Sequence, residues 1–480
     1  MLNLKPCKQS NDEANGFSSG RDYISELPDD ILSFIVSHLR LRDAVKTSVL
    51  SHRWGRVSAS KSKLQFCWRN MCLTNENYEN WRFNKDPWRE DVDKFVKGVN
   101  QFLKFHGDWN KWQIVSLEVL FCLGNDYKND IDEWIRYAIG MGAKTLSLLL
   151  SAENVEQIDK YVCRRELLCQ GTECKLKTLG LGGCVLEPPN SFFSQFSCLE
   201  TLILCYTSLG LNEVQSIFYG CSNLKVLRLK HCSLPVKLSI RGSLRYLRSL
   251  LIESCSGVEE LELSAMNFLH CFTYKGPFIK FSFKGVPKLT QVRFSVQQKR
   301  DLLYIFSKLA EDLPELRNIA VVVEPSIDQL CVPKSLKGMT IFRKVTKWTL
   351  FFTGDTEFNI LKMTFILRAF PVLQEFCLGM KCPVDFDHSR KPEPKAFVHK
   401  HLKKVQIEGF RGTPNQIDFV IYLLKHAIAL KKMVIDPVYL QGNKKACDEE
   451  GNRKAWDEGE RERVSEQLQE YSRDIVLIML

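Results

Sequence analysis

Leu199-Glu200-Thr201-Leu202-Ile203-Leu204 returns 25 residues later as Leu224-Lys225-Val226-Leu227-Arg228-Leu229, and that recurrence decides how this chain folds. The shared form is one apolar residue, two residues of any kind, then two apolar residues with one between them. It also occurs at Leu176, Leu179 and Leu181 and at Leu247, Leu250 and Ile252, so that starts at 176, 199, 224 and 247 are 23, 25 and 23 apart. Farther on it returns at Leu316, Ile319 and Val321, at Val345, Trp348 and Leu350, at Leu373, Phe376 and Leu378, at Leu402, Val405 and Ile407, and at Leu430, Met433 and Ile435. Those starts are 29, 28, 29 and 28 apart.

Such spacings fall in the leucine-rich range of roughly 20–29 residues per repeat. In each repeat the last two apolar residues alternate inward on a short strand, and the one three positions earlier closes the turn. A single repeat leaves its apolar face wet, so stacked neighbours are what make it stable. The expected fold class is therefore α/β, a solenoid with parallel strands on its concave face and helices on its convex face, behind a short helical module described below. Cys184, Cys232 and Cys255 each lie three residues after the last strand leucine, where buried thiols serve turn backbone. Ala143, Leu146 and Leu148 mark the expected start of the array. Residues 256–288 depart from it, with echoes at Val258, Leu261 and Leu263 and at Leu269, Phe272 and Tyr274 only 11 residues apart.

Composition bounds the function. The chain has 480 residues, enough for one small module and a large repeat array. Its 18 cysteines are scattered without a CxxC pair or a signal peptide, which favours a reducing intracellular setting, nuclear or cytoplasmic, over a disulfide scaffold or zinc ribbon. A net charge of +11 comes from 67 basic against 56 acidic residues spread along the chain, without a basic arm, so no nucleic-acid partner is expected. Apolar runs such as Phe419 to Leu424 are far shorter than the roughly 20 residues a membrane span needs. Catalytic patterns are missing too: the nine histidines show no HExxH, and Gly180-Leu181-Gly182-Gly183 lies on a repeat strand without the Lys-Ser or Lys-Thr of a phosphate loop. His399 and His401 alternate without further ligands nearby, so no metal or other cofactor is expected.

Near the start, Leu27-Pro28-Asp29-Asp30-Ile31-Leu32-Ser33-Phe34-Ile35-Val36-Ser37-His38-Leu39 reads as a helix. Pro28 costs little at its first turn, Asp29 and Asp30 suit the dipole, and Ile31, Leu32, Ile35 and Leu39 recur at helical spacing. Asp43 is expected to cap a second helix bearing Ala44, Val45, Ser48 and Val49, and Ser51 a third bearing Trp54. About thirty residues bury too little surface to be stable alone.

These residues resemble the F-box of plant F-box proteins: Leu27-Pro28, the Ile31 and Leu32 pair, Ile35, Leu39, residues 42–45, and Ser48-Val49-Leu50-Ser51-His52-Arg53-Trp54. One departure is visible, since Gly55-Arg56-Val57-Ser58 stands where that family continues with a second large apolar residue. The resemblance implies binding to a Skp-type adaptor, and through it to the cullin and RING subunits of an SCF-type ubiquitin ligase. It carries that contact onto Leu27, Pro28, Ile31, Leu32, Ile35, Leu39, Ala44, Val45, Ser48, Val49, Leu50 and Trp54. At the other end, residues 402–437, a charged helix over 454–471 and a strand over 475–480 resemble the FBD region of plant F-box proteins with leucine-rich repeats.

The expected domains are a disordered tail at 1–20, the F-box at 21–60, connecting helices and a solenoid cap at 61–140, leucine-rich repeats at 141–390, and FBD-like repeats and a cap at 391–480. Within 61–140, Val92, Phe95, Val96, Val99 and Phe102 suit an amphipathic helix. Trp134, Ile135 and Ala138 suit the convex helix of an early repeat. Trp81, Trp88, Trp109 and Trp112 are expected in core or capping positions. Lys391-Pro392-Glu393-Pro394 marks a break.

The family resemblance makes the chain a non-catalytic adaptor whose solenoid holds an unknown protein substrate. By strand alternation Thr201, Ile203, Arg228, Lys230, Glu253, Glu260, Glu262, Arg293, Ser295, Lys347, Thr349, Gln406 and Glu408 face the concave surface as substrate contacts. Two alternatives stay open: a ligase-independent leucine-rich-repeat scaffold, and a receptor whose concave face takes a small molecule.

Overall fold

A period-two alternation of large apolar residues puts both members of each pair on one face of a strand, and strands built this way recur among the described residues from Lys63 to Met479. The computed structural model describes residues 23–24, 26–39, 41–67, 71, 89–109, 114–150, 159–169, 174–297, 299–323, 340–357, 360–384, 397–438, 456, 458–472 and 475–480. The expectations for the tail at 1–20, for Trp81, Trp88 and Trp112, and for Lys391 to Pro394 lie outside these residues. So do the side chain of Trp109 and that of Arg42.

In chain order the strands are β1 (Lys63–Cys67), β2 (Ser116–Leu120), β3 (Thr145–Leu149), β4 (Tyr161–Arg164), β5 (Thr178–Gly182), β6 (Cys184–Glu187), β7 (Thr201–Cys205), β8 (Val226–Lys230), β9 (Lys237–Ile240) and β10 (Ser249–Glu253). They continue as β11 (Glu260–Ser264), β12 (Cys271–Lys275), β13 (Lys280–Lys284), β14 (Gln291–Val296), β15 (Asn318–Val323), β16 (Lys347–Glu357), β17 (Glu375–Val384), β18 (Lys404–Glu408), β19 (Lys432–Asp436) and β20 (Val476–Met479). Among the described residues, one 15-stranded sheet runs β1-β2-β3-β5-β7-β8-β10-β12-β14-β15-β16-β17-β18-β19-β20. Its pairings are parallel throughout.

Register follows the leucine pattern. Leu64, Leu117, Leu146, Leu179, Leu202, Leu227, Leu250, Phe272, Val292, Ile319, Trp348, Phe376, Val405 and Met433 pair successively across neighbouring strands, and all are buried. A one-residue slip would turn every one of them to the open face, so burial pins the register. Turns between repeats use the thiols as expected: Cys232 Sγ lies 3.4 Å from the Leu204 carbonyl oxygen and Cys255 Sγ 3.5 Å from that of Leu229. Cys184, also buried, opens β6 instead.

The expected fold class holds, with strands replacing helices in one stretch, and two finer expectations are corrected. The array does not begin at Ala143, Leu146 and Leu148, because β1 and β2 precede β3 in the same sheet. Helices α4 (Arg89–Trp109) and α5 (Lys128–Gly140) do lie behind the early strands, burying Val92, Phe95, Val96, Val99 and Phe102, and Ile131, Trp134, Ile135 and Ala138. Between 237 and 284, however, β9, β11 and β13 form a separate three-stranded parallel sheet. The 11-residue echoes are thus successive strands of different sheets: β11 closes the repeat that β10 opened, and β12 opens the next one in the long sheet. Phe281 and Phe283 of β13 meet Phe272 of β12 edge-on at 6.1 and 5.8 Å, packing the sheets together. Glu260 and Glu262 therefore belong to the second sheet and not to the predicted substrate face. There Glu260 pairs with Lys237 at 3.3 Å, and Glu262 accepts from Ser239 at 3.0 Å.

Candidate functional site

The N-terminal module consists of α1 (Asp29–His38), α2 (Leu41–Thr47) and α3 (His52–Ala59). Pro28 stands at the cap of α1, where its carbonyl accepts from Leu32 N–H at 3.0 Å. Ser51 caps α3 by accepting from Trp54 N–H at 3.2 Å. Asp43 does not cap α2 as expected, because that helix already starts at Leu41; it sits in the first turn, where the dipole still favours it. Despite the poorer sequence, α3 forms through Gly55-Arg56-Val57-Ser58, since Val57 is buried and the Ser58 hydroxyl donates to the Trp54 carbonyl at 2.7 Å.

The apolar face expected on α1 is divided in two. Leu32 and Val36 turn inward to form a small core with Ala44, Trp54 and Val57, against which Leu27 and Leu39 pack. Ile31 and Ile35 face outward, 43% and 40% exposed, as do Phe34 at 65%, Val49 at 75% and Leu50 at 64%. Sequence reasoning missed Phe34 and Val36, because a helix apolar on adjacent stripes does not reveal which stripe its neighbours will cover. Among the other predicted residues, Pro28 is exposed and Val45 and Ser48 are half-buried.

Polar bonds hold the three helices together. Arg53 Nε donates to Asp29 Oδ1 at 2.6 Å and its Nη2 donates to the Leu27 carbonyl, tying α3 to the start of α1. The hydroxyls of Thr47 and Ser58 meet at 2.7 Å. Lys61 Nζ donates to the carbonyls of Leu39 and Ser37 at 2.5 and 3.2 Å, and burial lowers its pKa. The module is continuous with the solenoid, since Leu41 belongs to the large core together with Leu64 and Phe66 of β1.

The open face of the long sheet is the second candidate surface. At its middle, Glu253 is bracketed by Lys275 at 2.6 Å and Lys230 at 2.9 Å. Burial opposes its charge, but the two ammonium groups prevail and hold its carboxyl below the usual range. Arg228 is exposed beside them, while Thr201, Ile203, Arg293, Thr349 and Gln406 are half-buried. Lys347 is exposed and pairs with Glu375 at 3.0 Å. Ser295 and Glu408 are buried, so they are poorly placed for direct contact; Glu408 accepts from Gln406 Nε2 at 2.9 Å. Val322 and Phe351 form an apolar spot separate from the main core, with Cys377 against it. The signal was present in Val321-Val322-Val323 and Leu350-Phe351-Phe352, strands apolar on both faces.

Residues 24–66 match the F-box domain, and residues 106–476 match the At1g61320/AtMIF1 LRR domain family. The chain belongs to the F-box proteins with leucine-rich repeats. Relatives of this F-box protein in Arabidopsis thaliana include F-box/FBD/LRR-repeat protein At1g13570, 27% identical over 58% of this chain and 55% of that protein, a match spanning just over half of the relative's length. Putative F-box protein At3g58860 is 23% identical over 87% of this chain and 89% of its own length, and F-box/FBD/LRR-repeat protein At1g13780 is 23% identical over 87% and 91%. Proteins joining an F-box to leucine-rich repeats are, as a family, SCF-type substrate adaptors and generally non-catalytic. No helix among the described residues is long and apolar enough to cross a membrane.

Proposed function

We propose that this protein is a substrate-recognition adaptor of an SCF-type ubiquitin ligase, its F-box binding a Skp-type adaptor and its repeats binding the protein to be ubiquitinated. One observation carries the reading. Ile31, Phe34, Ile35, Val49 and Leu50 stay exposed although the module already has a filled core of its own, and apolar residues so concentrated in a small module suit a partner's surface. In this reading Pro28, Ile31, Phe34, Ile35, Val49 and Leu50 contact the adaptor directly, with Leu27, Leu39, Val45 and Ser48 at the margin. Leu32, Ala44 and Trp54 act from beneath by holding the helices.

The chain itself contributes proximity, placing a bound substrate near the conjugating machinery carried by the other subunits. An intracellular location, nuclear or cytoplasmic, goes with that role.

Co-purification with a Skp-type adaptor tests the reading. Ile35→Asp combined with Leu50→Asp places two charges on the exposed set without touching the module's core, so adaptor capture is expected to disappear while the thermal transition stays in place. Undiminished capture by the folded double variant would overturn the assignment. The same full-length variant, used in proximity labelling, is expected to retain substrates that it no longer delivers to the ligase.

A further inference from the structure

Three consecutive repeats place equivalent residues side by side in the loops that lead into β10, β12 and β14. Tyr246, Phe268 and Lys288 each stand immediately before a buried leucine, Leu247, Leu269 and Leu289. The rings of Tyr246 and Phe268 lie 6.2 Å apart and both are exposed. Lys288 Nζ stands 4.4 Å from the Phe268 ring centre, and the Arg245 guanidinium 5.8 Å from that of Tyr246.

Two positions further on, Arg248, His270, Thr290 and Arg317 form a second row, stitched by the backbone. His270 N–H donates to the Arg248 carbonyl at 2.9 Å, Thr290 N–H to that of His270 at 3.2 Å, and Arg317 N–H to that of Thr290 at 2.9 Å.

Arg245, Arg248, Lys288 and Arg317 are exposed, and none pairs with a carboxylate among the described residues. The loop residues 241–248, 265–270 and 285–290 contain no Asp or Glu. Flanking repeats differ. On one side Lys177 and Lys225 grip Glu200 at 3.2 and 2.7 Å, lowering its pKa chiefly through the Lys225 bond, and on the other Lys344 meets Glu315 at 2.5 Å. The loops into β10, β12 and β14 thus carry cations with no acid among their own residues, and in the loop into β15, where Lys344 takes Glu315, Arg317 keeps no carboxylate among the described residues.

From these rows we infer that the loop strip of Arg245, Tyr246, Arg248, Phe268, Lys288 and Arg317 binds an acidic, extended segment of the partner protein held by the repeats. The inference rests on the repeats being a protein-binding surface and adds the chemical class of the segment. From Arg248 to Arg317 is three strand spacings, roughly 14 Å, which an extended segment of about five residues spans. Its carboxylates meet the unpaired cations, and an apolar side chain lies against the Tyr246 and Phe268 pair. A nucleic acid fits less well, because bases need open ring faces for stacking and Lys288 already covers Phe268.

Fluorescence anisotropy on the full-length chain tests this with three labelled probes: a twelve-residue peptide of Glu and Asp with one central Phe, its Gln and Asn counterpart, and a twelve-nucleotide oligouridylate. The acidic peptide is expected to bind best, weakening as salt rises, and Arg245→Glu with Arg248→Glu and Lys288→Glu to lower its affinity about tenfold or more. Lys237→Glu, on the second sheet, is expected to change nothing. Arg248→Gln alone, a milder surface change that keeps the test valid if the triple variant folds poorly, is expected to weaken binding about threefold. Equal affinity for the acidic peptide and its amide counterpart, full binding by the folded variants, or tighter binding of the oligouridylate would overturn the inference. Adaptor capture, read in parallel, is expected to survive these loop substitutions, so a failure of the strip and a failure of the F-box reading give different results.

Discussion

His106 Nε2, on the long helix behind β1 and β2, lies 3.1 Å from the backbone carbonyl oxygen of Lys61, the link between the last F-box helix and the first strand of the solenoid. A carbonyl only accepts, so Nε2 carries the proton. Nδ1 is then left to accept from the Tyr137 hydroxyl at 2.6 Å. The ring is fully buried and burial lowers its pKa, partly offset by the bond to Lys61. One imidazole thus fastens the linker to two helices of the solenoid. In the adaptor role proposed above, that attachment would fix the F-box relative to the first strands of the solenoid.

His106→Ala is expected to leave the Lys61 carbonyl and the Tyr137 hydroxyl without this partner and to cost about 1–3 kcal/mol. Urea unfolding gives the loss, and hydrogen exchange is expected to rise around residues 60–67 more than in the later repeats. Unchanged exchange at the linker would show that the Lys61 side-chain bonds and the packing of Leu41 hold the F-box without this imidazole.

Two neighbours on α1 separate folding from binding. Leu32 is fully buried and Phe34 is largely exposed. Leu32→Ala is expected to destabilise the module by about 2–5 kcal/mol. Phe34→Ser is expected to leave the melting temperature within error and to weaken adaptor binding about tenfold or more, as truncation of an aromatic anchor does. Calorimetry and a titration with purified adaptor distinguish the two, and equal stability losses would place Phe34 in the core.

Strands carrying the repeat were legible because Leu202 and Leu204, or Leu227 and Leu229, recur at a nearly constant interval and alternate in the way a half-buried strand must. Leu64 and Phe66 pair with Leu117 and Val119 in the same manner, but 53 residues separate Leu64 from Leu117, and a search at the repeat period passes over them. Alternation also says nothing about which sheet a strand joins. Leu261 and Leu263 satisfy it as well as Leu250 and Ile252 do, and only the stacking of β9, β11 and β13 removes Glu260 and Glu262 from the open face of the long sheet. On α1 the ambiguity is angular: Ile31 and Ile35 make as good a stripe as Leu32 and Val36, and tertiary contacts decide between them.

Gly409, just after β18, has φ of +72°, and a Cβ there would fall 1.8 Å from the Met380 carbonyl oxygen. Gly409→Ala is expected to cost at least about 1–2 kcal/mol for the left-handed backbone, with the displacement of Met380 added to it. Gly140, at the end of α5, has nothing within 4 Å of its Cβ position. Gly140→Ala is expected to be neutral or to stabilise by up to about 1 kcal/mol. Denaturant midpoints of the two variants, measured side by side, check the contrast.

His399 sets a pH dependence on the C-terminal repeats. It is buried, its backbone N–H donates to the His426 carbonyl at 2.9 Å, and its ring Nε2 lies 3.4 Å from the Tyr422 hydroxyl. Burial, then the nearby His426 and Arg368, push its pKa down to about 4 from 6.5. Because the unfolded chain binds this proton more readily, stability is fully present above the unfolded pKa and declines as pH falls from 6.5 toward 4, by about 3 kcal/mol at most. His106, also lowered, acts in the same direction. The urea midpoint is therefore expected to drop between pH 7 and pH 4, and His399→Gln, which cannot take up a proton, to show a shallower drop over that interval. Identical slopes for the two proteins would mean that His399 reaches water freely, contrary to its place between Phe397 and Tyr422.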